Sequence, residues 1–165
     1  MGPFFKKSKP WRSGQAAAEV HVAAFGKHPG WDDHIEDLGI ETSLLVAIKR
    51  TLYTQGVGGN VDSGGWEKLG EKERLDGFHH AFLWHTVHGL ILGRMWSSSD
   101  GKGRTRYPMV ACAQVNGLSL DWAFDRVLPA LENIEARCIK TPSAATVRAV
   151  IRDAEQILRR AAQGA

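Results

Sequence analysis

At 165 residues the chain is long enough for one domain to bury a sizeable core without cross-links. Its 43% hydrophobic and 24% charged residues exclude wholesale disorder, and no run approaches the roughly 18 apolar residues of a membrane-spanning helix. The formal charge of +3 comes from one end: apart from Lys6, Lys7, Lys9 and Arg12, 17 basic side chains face 18 acidic ones, and no basic stripe with stacking aromatics points to nucleic acid.

Residues 1–17, rich in Lys, Ser, Pro and Gly, are expected to form a basic, disordered tail, leaving 18–165 as a single domain. From Glu19 to Phe25, Val20, Val22 and Ala24 alternate with Glu19, His21 and Ala23, the period of a strand. Pro29-Gly30 then predicts a turn. Ile40, Leu44, Leu45, Ile48 and Leu52 recur at helical spacing, with Gly56 placed to end that helix. The glycine-rich stretch from Val57 to Gly77 predicts a long irregular loop.

The segment from Phe78 to Val115 carries three alternating runs joined by "VHG" and by the basic, glycine-rich "SDGKGRTR", which predicts an antiparallel meander. Phe124, Val127, Leu128, Leu131, Ile134 and Cys138 form a helical stripe that Pro129 is expected to kink or split. A last helix has Val147, Val150, Ile151, Ala154, Ile157, Leu158 and Ala161 on one face, with Thr141 as its expected cap and Pro142 at its first position. The order implies an α+β domain: an antiparallel sheet, made of the first strand and the meander, flanked by helices.

Cys112 and Cys138 fall in apolar patterns and are expected as buried free thiols, consistent with a reducing cytoplasm. All seven histidines lie between residues 21 and 88. His28, Asp32, Asp33 and His34 therefore raise a metal site, and with it a metal-dependent hydrolase, although their spacing matches no ligand signature. A simpler reading makes Asp32 and Asp33 acceptors for free backbone N–H groups at the start of the first helix. His80 and His85 point to opposite faces of one strand and form no acid–base pair. Six tryptophans are many for this length; Trp84 and Trp122 sit at core positions of their elements, whereas Trp31, Trp66 and Trp96 lie in or beside polar loops, where tryptophan with arginine suits an interface.

Two separated motifs, "GKHPGWDD" after the first strand and "WSSSDGKGRTRYP" within the meander, together resemble the TagF family of proteins associated with type VI secretion. The first is a strand running into "GKHPGWDD", with Gly26, Lys27, Pro29 and Asp33 at the family's positions. The second is "WSSSDGKGRTRYP", with Trp96, Ser98, Asp100, Gly103, Arg104, Tyr107 and Pro108. His34 stands where the family has an aromatic, and one extra residue lies between Arg104 and Pro108, so the resemblance, over residues 20–115, is to a divergent branch. It implies a longin- or profilin-like domain without catalytic activity or cofactor. It also implies an accessory or repressor role through protein contacts with secretion-machine components, a forkhead-associated protein among them. The residues suggest how: if the first strand joins the sheet beside the meander, the two motif loops share one edge. Asp33 or Asp100 paired with Arg104 would then hold a surface that includes Trp31 and Trp96.

Overall fold

The computed structural model of the protein describes residues 17–70 and 77–165. The expected tail therefore lies outside the described residues, except for Ala17, as does part of the expected loop. Four strands, β1 (Glu19–Gly26), β2 (His79–Thr86), β3 (Gly89–Trp96) and β4 (Met109–Asn116), form one antiparallel sheet in the order β1-β4-β3-β2. Thus β2, β3 and β4 are the meander, and β1 adds beside β4, with Gly26 opposite Met109.

Both faces of the sheet carry buried side chains along β1, β4 and β3. Val20, Val22 and Ala24 join Leu92, Ala111 and Ala113 on one face. There α5 (Leu128–Ile139) and α6 (Ala144–Ala162) contribute Leu131, Ile134, Val147 and Val150. Ala23 and Phe25 point the other way, against Leu45, Ile48 and Tyr53. These belong to a continuous helical run in which α1 (Ser43–Ile48) widens into a π-helical segment (Lys49–Gly58) and closes with α2 (Gly59–Asp62). A one-turn helix, α3 (Gly65–Lys68), follows. The protein is an α+β fold, and both cysteines are free and buried.

Several boundaries differ from the expectation for local reasons. Gly56 does not end the first helix; the run passes through it and stops at Gly64, whose φ of 72° turns the chain after the Ser63 cap. The supposed loop is consequently helical at Gly59–Asp62 and Gly65–Lys68. Thr42, rather than Asp32 or Asp33, caps α1, its hydroxyl accepting from the Leu45 N–H at 3.1 Å. Ser143, rather than Thr141, caps α6; the Thr141 hydroxyl accepts from the Ser143 N–H instead. Pro129 is the second residue of α5, directly after α4 (Leu120–Trp122) and a second π-helical segment (Ala123–Val127), so the apolar stripe is divided between two helical elements at the proline.

The tryptophans also trade places. Trp96, expected near the surface, is 1% exposed because its strand is interior to the sheet. Trp84, expected in the core, is 37% exposed because β2 is an edge strand. The Trp66 side chain lies outside the described residues.

Candidate functional site

The two motif loops meet at the end of the sheet where β1 stops and β4 starts. Gly26 closes β1 at φ 108°, a conformation glycine adopts without steric cost, and a Cβ there would lie 2.2 Å from the Pro108 carbonyl oxygen. The chain then turns: Lys27 N–H donates to Pro108 O at 3.0 Å, and Ile35 N–H returns to Gly26 O at 2.7 Å. Within this loop Trp31 N–H donates to His28 O, and Gly30 packs so closely on Ala144 that a side chain would clash with its backbone nitrogen at 2.6 Å. Both glycines of the first motif, Gly26 and Gly30, are thus steric requirements.

Asp100 is the hub. Its carboxylate is buried and accepts four donors: the backbone N–H groups of Lys102 and Arg104 at 3.0 Å each, Lys27 Nζ at 2.6 Å and Arg104 Nε at 2.6 Å. Gly103, at φ 76°, tightens the turn that brings Arg104 back over the aspartate. Desolvation raises the Asp100 pKa, but the bonds from Lys27 and Arg104 outweigh it and hold the carboxyl far below its ordinary 3.8. The guanidinium also reaches the other loop, with Nη2 donating to Asp32 O at 2.9 Å and Asp33 Oδ1 at 3.3 Å. Gly101 N–H adds a backbone tie to Trp31 O at 2.7 Å. The expected pairing of Arg104 with Asp33 or Asp100 is therefore present with both acids at once.

Asp33 is largely exposed, 3.5 Å from Lys27 Nζ. Desolvation nudges its pKa up, while His34, Arg104 and Lys27 bring it below 3.8. Lys27 Nζ lies 5.7 Å from the Tyr107 ring centroid, and Tyr107 donates to Asp62 at 2.9 Å, tying the second loop to α2. His34 packs edge-on against Tyr107 and Tyr53 at 5.1 and 5.9 Å.

Not every expected residue faces this surface. Trp96 lies in the core and Pro29 is exposed. Ser98 and Pro108 instead line a separate cleft of about 820 Å³ between the second loop and the helical run. Trp31 is half-buried on the rim, with Arg148 over its ring at 5.3 Å and His28 edge-on at 5.6 Å. Arg148 in turn pairs with Glu36. Sequence spacing gave no sign of Asp62, Arg148 or Tyr53, because each arrives from a helix distant in the chain.

The alternative ligand set does not converge. His28 is buried with both ring nitrogens engaged: Nε2 donates to Cys138 O at 3.0 Å and Nδ1 accepts from Gly30 N–H at 3.0 Å. Burial lowers its pKa below 6.5, against the pull of the carbonyls of Cys138 and Thr141. His34 Nδ1 faces Asp33. Among the described residues, the group whose ligand atoms all fall within 4.8 Å is instead His21, Glu41 and Glu155, and there Arg159 already donates to His21 and pairs with Glu155.

No protein-family model matches the chain, and no curated protein sequence matches it.

Proposed function

We propose that the protein is a TagF-like, non-enzymatic accessory factor of a type VI secretion machine that works by binding another protein through the fused motif loops. One observation carries this reading: two loops more than sixty residues apart are locked by a single buried carboxylate with four donors, while Arg104, Asp33 and Lys102 remain on the surface. A buried ion pair adds little net stability over an apolar core, so its use here is geometric. It preorganises an exposed set of charges beside Trp31, and preorganisation reduces the entropy cost of docking. A secretion-machine component, such as a forkhead-associated protein, is the partner class that the family likeness suggests.

The test is recovery of partners with the tagged protein from its native cells, read by mass spectrometry, for wild type, Lys102→Glu and Arg104→Ala. Lys102 is exposed and only its backbone N–H bonds within the turn, so reversing its charge leaves the fold intact. A shared partner lost with Lys102→Glu at unchanged thermal stability supports the surface. Truncating Arg104 is expected to weaken binding by about 2 kcal/mol or more. Full recovery with both variants would refute the surface, and a wild-type catch without secretion-machine proteins would refute the family role.

A further inference from the structure

The two edges of the sheet are treated differently. Along β1 the outward-facing backbone is occupied: Ala24 exchanges hydrogen bonds with Leu38, Gly26 O accepts from Ile35, and Val20 O accepts from Arg159 Nε at 2.8 Å. Along β2 no described segment pairs beyond the strand, and six of its eight residues are exposed. Ser97 N–H donates to Phe78 O, so Phe78 turns its backbone toward β3. Because antiparallel ladders alternate, Phe82 and Trp84 do the same, while His79, Ala81, Leu83 and His85 present N–H and C=O groups outward.

Proteins usually blunt such an edge with Lys, Pro, a bulge or an inward charge. The run "HHAFLWHT" contains no acidic, Lys, Arg or Pro residue, and its pairing with β3 runs unbroken from His79 to Thr86. Three of the large apolar side chains left uncovered lie together here: Leu83 is 48% exposed, Trp84 37%, and Val87 in the adjoining turn 95%.

We propose that β2 is a self-association edge, on which two copies of the chain pair antiparallel about a two-fold axis at Phe82 to join their sheets. That axis sets Ala81 opposite the partner's Leu83 and His79 opposite the partner's His85. All four outward-facing residues of each strand are then paired, giving about eight backbone hydrogen bonds. Moving the axis to Ala81 or Leu83 pushes one of these pairs beyond the strand end. The chosen register is also complementary in size, since Leu83 lies beside Ala81 on one face and Trp84 beside His80 on the other, and the strand brings no Lys, Arg, Asp or Glu into the seam. Two strands of this length bury less than the roughly 1,200 Å² of a standard interface, so the dimer is of the weak, concentration-dependent class.

Sedimentation velocity of the full chain, from low micromolar to several hundred micromolar, tests this. The wild-type mass should climb from monomer toward dimer. Leu83→Lys places a charge in the seam, and Ala81→Pro removes an N–H that β3 does not use; each should weaken association by about tenfold or more, with near-UV circular dichroism unchanged. A wild type that stays monomeric throughout overturns the proposal and leaves the edge to an extended segment of another protein. So does association that both folded variants retain.

Discussion

At the scale of single residues, the site is organised by polar groups that have partners and by two among the described residues, Trp31 Nε1 and the Tyr53 hydroxyl, that do not. Asp100 has every lone-pair direction used, but the hydroxyl of buried Tyr53 has no hydrogen-bond partner, although its ring is well packed against Phe25 at 5.5 Å and Tyr107 at 5.9 Å. Burial, reinforced by Tyr107 and Asp33, pushes the phenol far above its ordinary 10.0, so it stays neutral and its cost is that of an unsatisfied dipole. Tyr53→Phe keeps the ring and deletes that dipole. Thermal melting should show a gain of up to about 1 kcal/mol; a loss would mean that the hydroxyl is engaged. At this scale Lys27, Asp33, Asp100 and Arg104 are legible in the sequence through the resemblance of their two segments to the TagF motifs. Tyr53, Asp62 and Arg148 are not, because their place depends on how helices pack over the loops.

At the scale of elements, periodicity located all four strands and the two C-terminal helices, since each alternation or stripe spans enough residues to fix its period. It failed where glycine was asked to mark an end. Gly56 sits in a segment that continues in a right-handed conformation, and its C-cap signal is matched equally by Gly58, Gly59 and Gly64. Only the last has the left-handed φ of a helix stop. The two are separable by substitution: Gly64→Ala forces a Cβ into that region and should cost about 1–2 kcal/mol. Gly56→Ala has no such strain, and the comparison of Tm values decides between the two stops. Likewise, alternation identifies β2 as a strand but says nothing of its place in the sheet. Because β1 pairs with β4, β2 becomes the edge, and Trp84 loses the cover that its position in the pattern implied.

For the whole molecule, the loops, the sheet and the C-terminal helices are coupled through His28, which joins the first loop to the carbonyl of Cys138 at the end of α5. That coupling makes stability depend on acid in a definite order. His28 is neutral in the folded state, with a pKa lowered by burial, so the unfolded chain binds its proton first as pH falls below 6.5. Its contribution is complete above that value and declines until the folded-state pKa is passed. Asp33 and Asp100, both lowered from 3.8, contribute above their unfolded value and lose that contribution only below about pH 4. Glu155 has the opposite sign: desolvation raises its pKa, so protonation as pH falls toward 4.5 favours the folded state and offsets part of the His28 loss. Melting temperature measured from pH 8 to pH 3 should therefore fall in two stages, a shallow one below 6.5 and a steeper one below 4. His28→Gln should flatten the first stage whatever its effect on stability at pH 8, and leave the second in place. An unchanged first stage in that variant would assign it to other groups and remove His28 as the link between the loop and the helices.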